Sequence, residues 1–231
     1  MSEGIRNFLM FDYDGTLTYG DSTIPQVARK ELLRIRRDDL ATLGIISGRD
    51  LPFLMGVNSG LSNVFSFLVA ENGAISYFRD TCETMVLGRS WTEKAREVFG
   101  RSPLHMRFAE VICATRIENA ELVSKILSEN KLEAKLAPNK DSLMVLPPNV
   151  DKGTGVATAL QHYGETKHIH LTCFGDGEND VALFAPADLG VAVANAVDAL
   201  KEIADVVTEK AGGLGVAEYL AETFLIDSTL A

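Results

Sequence analysis

Five short apolar runs in this chain each stop at a residue able to do chemistry. Phe8 to Phe11 ends in Asp12, and Leu43 to Ile46 ends in Ser47. Phe65 to Ala70 ends in Glu71-Asn72-Gly73, Leu171 to Phe174 in Gly175-Asp176, and Leu189 to Ala194 in Asn195. A short, unbroken apolar run is the pattern of a strand buried on both faces, as in a parallel sheet. Helices are expected between the runs. One opens at Thr23-Ile24-Pro25, with Thr23 as N-cap and proline in the first turn, and runs to about Arg37. Others are expected at 153–163, 179–184, 197–204 and 215–224, with Gly212-Gly213-Leu214-Gly215 as the loop before the last. Strand and helix in alternation specify an α/β fold with a doubly wound, Rossmann-like parallel sheet. Ligands bind such sheets beyond the carboxyl ends of the strands, so the polar run-ends should gather at one edge.

The stretch from Tyr77 to Leu146 has a different rhythm. Strands are expected near Glu83–Leu87, His105–Ala109, Val111–Arg116, Glu133–Ala137 and Ser142–Leu146, with helices at Thr92–Phe99 and Asn119–Asn130. Ile117, Leu122, Ile126 and Leu127 give the second helix one apolar face. Two helix-strand-strand units in succession suggest a smaller α+β domain, 77–147, inserted into a core made of 1–76 and 148–231. Pro147-Pro148 marks the return, because proline cannot continue a strand ladder.

Four clusters carry the chemistry. Asp12-Tyr13-Asp14-Gly15-Thr16 sets two carboxylates two residues apart at a strand end, where they repel unless a cation or proton lies between them. Gly175-Asp176-Gly177-Glu178-Asn179-Asp180 adds two more carboxylates, and oxygen ligands in this number suit a hard cation such as Mg2+. Ser47-Gly48-Arg49 offers a hydroxyl and backbone N–H groups that can hold a phosphate oxygen. Lys152, in Asp151-Lys152-Gly153-Thr154-Gly155, can meet a phosphate as a point charge; the order is not that of a P-loop.

Composition narrows the partners. A formal net charge of −10 disfavours nucleic acid and acidic membranes but leaves room for a local pocket that binds a small anion. Cys82, Cys113 and Cys173 are scattered, with no CxxC pair, which argues against a disulfide framework or a thiolate metal site. The first apolar run is too short for a signal-peptide core, and no run of about 18 apolar residues could span a membrane. A cytoplasmic protein is the expectation, as monomer or homodimer.

In order and residue type the four clusters resemble the motifs of the haloacid dehalogenase superfamily of phosphatases. Asp12 to Thr16 looks like the first motif, Ser47 the second, Lys152 the third, and Gly175-Asp176 with Asn179-Asp180 the fourth. Only 35 positions separate Asp12 from Ser47, too few for an inserted domain, whereas 105 separate Ser47 from Lys152. A cap inserted there is similar to the type IIB, Cof-like branch, as are Glu71-Asn72-Gly73 and the segment from Gly190 to Ala196. The short two-unit cap is similar to archaeal-type phosphoglycolate phosphatases and some sugar-phosphate phosphatases.

The resemblance implies a Mg2+-dependent hydrolase of a small phosphorylated metabolite, working through an aspartyl-phosphate. Asp12 would be the nucleophile and Asp14 the acid and base, with the metal at Asp12, Asp176, Asp180 and the Asp14 carbonyl. Gly15, Thr16, Gly48, Arg49, Asn72, Asn179 and Asn195 would contact phosphate or substrate beside Ser47 and Lys152. Arg107 and Arg116 in the cap, with His105 and Lys140, are candidates for an anionic end of the leaving group. A phosphotransferase or phosphomutase of the same fold, and a phospho-acceptor signalling domain, are the alternative readings.

Overall fold

A computed structural model describes residues 5–20, 23–139, 141–164 and 168–224. The apolar runs form strands as expected: β1 (Arg6–Asp12), β2 (Thr42–Ile46), β3 (Phe67–Ala70), β10 (Ile169–Gly175) and β11 (Leu189–Ala192), counted in chain order. With β4 (Ile75–Phe78), β5 (Glu83–Val86) and β12 (Val206–Val207) they make one eight-stranded sheet, ordered β12-β11-β10-β1-β2-β3-β4-β5. The strands from β12 to β3 are parallel; β4 and β5 join antiparallel. The chain leaves β1 towards β2 and later returns to β1's other side with β10. That reversal of strand order is where such sheets place their ligand.

Alternate residues of the strands feed two cores. Leu9, Phe11, Leu43, Ile45 and Phe174 pack with α1 (Gln26–Arg37), α2 (Leu51–Gly60) and α8 (Gly212–Thr223). Phe8, Met10, Phe67, Val69 and Cys173 pack on the other face with α5 (Lys152–His162), α6 (Val181–Phe184) and α7 (Asp198–Lys201). This two-sided burial explains why the strands read as continuous apolar runs.

A second sheet, ordered β6-β7-β9-β8, is antiparallel and carries its helices on one face. Its strands are β6 (Arg107–Phe108), β7 (Cys113–Arg116), β8 (Lys135–Asn139) and β9 (Ser142–Leu146). Trp91 and Phe99 of α3 (Arg89–Gly100) and Val123 and Ile126 of α4 (Ala120–Glu129) pack on Cys113, Leu143 and Val145.

Four expectations change. The strand expected near Glu83–Leu87 forms, but it extends the large sheet through β4 and does not join the second one. Helix α1 starts at Gln26 with Pro25, not Thr23, in the cap position; the Pro25 carbonyl accepts from Arg29 N. Helix α2 was not foreseen. Gly212 to Gly215 is the first turn of α8, not a loop. Glycine is needed there because a Cβ on Gly213 would lie 2.4 Å from the Leu17 carbonyl oxygen, so the helix packs directly on the turn after β1. Among the described residues no helix is long and apolar enough to cross a membrane.

Candidate active site

Strand register brings the motif residues together. Asp12 ends β1 opposite Ile46, so Ser47 follows one step beyond on β2. Phe11 pairs with Phe174, which places Asp176 just past the end of β10 on the other side. Gly15, at φ +93°, turns the chain there; a Cβ on it would lie within 2.8 Å of three Asp176 carboxylate atoms, so this approach requires glycine.

Lys152 is the first residue of α5. Asp151 caps that helix: its carboxylate accepts from Thr154 N at 2.8 Å, while Asp151 N donates to Thr154 Oγ1 at 2.9 Å. The cap fixes the lysine, whose Nζ donates to Asp12 Oδ1 at 2.6 Å and to Asp180 Oδ1 at 2.7 Å. All three are buried, at 2, 4 and 0% exposure. The other oxygen of Asp180 accepts from the backbone N–H groups of Asp176 and Gly177 at 3.0 and 2.9 Å. Asp180 thereby holds both the lysine and the loop that carries Asp176.

Carboxylate oxygens of Asp12, Asp176 and Asp180 lie within 4.8 Å of one another. Burial pushes the Asp12 carboxyl well above its usual range; Lys152 opposes the shift, and Asp180 and Asp176 add to it. Burial and then Asp180 raise Asp176 to about 6. Burial alone would lower Lys152, but Asp12 and Asp180 outweigh it and raise the ammonium, which stays charged. One buried ammonium faces three carboxylates.

Several expected residues take orienting positions. The Thr16 hydroxyl donates to Asp176 Oδ1 at 3.0 Å. Asn195 Nδ2 donates to the Gly15 carbonyl at 3.0 Å, and its Oδ1 accepts from Gly212 N at 2.7 Å, tying α8 to the turn. The Asp14 carboxylate stands apart from the buried trio. It takes a forked pair of bonds from Arg49, at 3.0 and 2.8 Å, and a long one from Ser47 Oγ at 3.4 Å. Arg49 also lies over Phe53, 4.9 Å from the ring centroid. Gly48 lies between Ser47 and Arg49 in this loop, and Arg49 N donates to Ser47 Oγ at 3.1 Å. Asn179 Nδ2 donates to Asn72 Oδ1 at 3.3 Å, and Asn72 Nδ2 touches Met144 Sδ of β9, so the second sheet reaches the site.

One cavity borders this region and another lies against the second sheet. The first, of about 260 Å3, lies between β8 and the large-sheet unit, lined by Asn72, Lys135, Lys152 and Asn179 among others. The other, about 410 Å3, is lined by His105, Arg107 and Arg116 with Asp141 and Ser142. The structure thus gathers three of the cap candidates with one another, but in a cavity whose lining includes none of the aspartate trio or Lys152. Lys140 lies outside the described residues.

Two contacts that join the sheets had not been read from the sequence. Lys135 donates to Asp151 Oδ2 at 2.5 Å, joining β8 to the start of α5. The Glu71 carboxylate, buried, accepts from the backbone N–H groups of Glu110, Val111 and Ile112 at 2.9, 2.8 and 3.0 Å. It pins the β6–β7 turn, whose Val111 and Ile112 sit in the core of the large sheet. The Glu-Asn-Gly motif signalled Glu71; nothing in the letters around Lys135 did.

The model of the haloacid dehalogenase-like hydrolase family matches residues 100–220. Phosphoglycolate phosphatase 2 of Saccharolobus solfataricus is 36% identical over 180 residues, covering 76% of this chain and 74% of that protein. Phosphoglycolate phosphatase of Methanothermobacter thermautotrophicus is 31% identical over 214 residues, covering 90% and 94%. A haloacid dehalogenase-like hydrolase from Bacteroides thetaiotaomicron shares the fold with TM-score 0.78 at 21% identity, over 95% of this chain and all of that one. A sugar phosphatase of haloacid dehalogenase subclass IIB does so with TM-score 0.74 at 16% identity, over 95% and 100%.

Proposed function

The chain belongs to the haloacid dehalogenase-like hydrolases, and from that membership and the geometry of its aspartates we propose a Mg2+-dependent phosphomonoester hydrolase acting on a small phosphorylated metabolite. The observation that carries this reading is Lys152 bridging Asp12 and Asp180 beside Asp176. The relatives named as phosphoglycolate phosphatases support phosphoglycolate as the first substrate to test, with sugar phosphates second.

The donor set fits the metal. It is all oxygen and strongly acidic, and burial raises the Asp12 and Asp176 carboxyls, a shift that a hard cation would oppose. Asp12 and Asp176 would hold the ion with the Asp14 carbonyl. Asp180 already accepts three hydrogen bonds and serves Lys152 and the loop. The bound ion supplies positive charge against the phosphate oxygens and the nucleophile.

The steps belong to the side chains. A carboxylate oxygen of Asp12 attacks phosphorus, the ester P–O bond breaks, and Asp14 gives its proton to the departing alkoxide oxygen. Asp14 then takes a proton from the water that attacks phosphorus, which frees Asp12 and inorganic phosphate. Lys152, the Ser47 hydroxyl and backbone N–H groups beside Asp14 and Ser47 would meet the equatorial oxygens, where charge spreads in the transition state. Asp14 must leave Arg49 to act. That pair is half-exposed, so the exchange costs at most about 1 kcal/mol. The second sheet with its two helices is read as a cap that closes over the site and chooses the leaving group. A net charge of −10 supports small metabolites over nucleic acid or acidic membranes, and three free cysteines support a cytoplasmic setting.

Phosphate release from phosphoglycolate and a panel of sugar phosphates, with Mg2+ and with chelator, tests the reading. Mg2+-dependent release supports it. Absence of release from every ester contradicts it and shifts the weight to phosphoryl transfer between metabolites.

A further inference from the structure

The 260 Å3 cavity is bounded by two cations with different commitments. Lys152 Nζ is buried and gives two of its three donors to Asp12 and Asp180, so it belongs to the phosphate end. Lys135 opens β8, on the edge of the second sheet, and its side chain is 42% exposed. An ammonium has three donors. Among the described residues Lys135 bonds Asp151, which leaves two donors for a ligand. Asn72 and Asn179, bonded to each other, line the same cavity between the two lysines and offer further amide groups. Of its acids, Asp151 is bonded by Lys135 and Thr154, and Glu178 stands exposed at the surface. At about 260 Å3 the cavity is below the usual range for drug-sized ligands, roughly 300–1,000 Å3. A tail of two or three carbons suits it.

We propose that Lys135 is a specificity residue that binds the carboxylate of the leaving group, so that the preferred substrates are phosphate esters of short hydroxy acids. The assignment rests on the phosphatase reading above. It differs from the expectation that Arg107 and Arg116 meet the acidic end, since these line the other cavity. A simpler role for Lys135 is a latch from β8 to α5 through Asp151. The two roles separate kinetically, because a latch serves every substrate alike.

The experiment compares wild type, Lys135→Met and Lys135→Arg, as full chains with Mg2+, on phosphoglycolate and on ethyl phosphate, which has the same two carbons and no carboxylate. Circular dichroism melts check folding. The expected result is a rise of about ten- to a hundredfold in KM for phosphoglycolate in Lys135→Met, the worth of one charge-assisted hydrogen bond. kcat should change little, constants for ethyl phosphate should hold, and Lys135→Arg should retain much of the preference. Equal loss on both esters, or no change on either, overturns the proposal while leaving the phosphatase reading intact. Wild type inactive on both esters and on the sugar-phosphate panel overturns the phosphatase reading, and this assignment with it.

Discussion

Lys152 Nζ lies 2.6 Å from Asp12 Oδ1 and 2.7 Å from Asp180 Oδ1, so one buried ammonium ties the end of β1 to the loop after β10. Removing one partner of a buried ion pair leaves the other charge uncompensated, which costs about 3–5 kcal/mol. Lys152→Met should therefore lower metal-free stability by that order in urea denaturation. It should also lower kcat by about 10²–10³, as loss of a transition-state donor does. Unchanged kcat in a folded variant would remove Lys152 from the mechanism.

Asp14 pairs with Arg49 at a half-exposed position, and the pair contributes little stability. Asp14→Asn should melt within a few degrees of wild type yet lose about 10²–10⁴ in kcat, the usual worth of general acid–base catalysis. A loss of activity that tracks a loss of stability would instead make Asp14 a structural residue.

Glu71 gathers three backbone N–H groups of the β6–β7 turn in a buried position. Each buried donor left unpaired costs about 1–3 kcal/mol. Glu71→Ala should destabilise the chain by about 3 kcal/mol or more, and, if the second sheet serves as the proposed cap, its activity loss should include KM. A variant as stable as wild type in urea would show that these bonds carry no net energy.

The pKa of Asp176 is raised from 3.8 to about 6, and Asp12 is shifted in the same direction. In metal-free protein the folded state binds more protons than the unfolded chain between those values. Stability contributed by these groups is therefore lost as pH rises from 3.8 through about 6. Metal binding needs the ionised forms. The rise in Tm on adding Mg2+ should be clearly larger at pH 8 than at pH 5. Equal increments at the two pH values would place the metal elsewhere.

The strand ends that make the site were legible because burial on both faces leaves unbroken apolar runs, and chemistry begins where they stop. The positions of Asp12, Ser47, Asp176 and Asn195 at or just past strand ends followed directly. Helix α2 was missed because Pro52, Gly56 and Gly60 interrupt its pattern. The glycines from 212 to 215 read as a loop because their reason, contact with Leu17 and Thr208, is tertiary. The strand at Glu83–Val86 was assigned to the wrong sheet because its partner is set by the β3–β4–β5 meander, not by its own letters. The partners of Glu71 are backbone N–H groups about 40 residues away, which no residue letter records. Lys135 reads like any surface lysine because the cavity it shares with Lys152 is a tertiary feature.

The central claim is that Asp12 carries the phosphoryl group. Borohydride quenching during turnover reduces an acyl phosphate, and peptide mass spectrometry then locates the product. The account predicts conversion of Asp12 to homoserine, dependent on substrate and Mg2+ and absent in Asp12→Asn. Rapid turnover with no reduced residue, or reduction at another carboxylate, would contradict it.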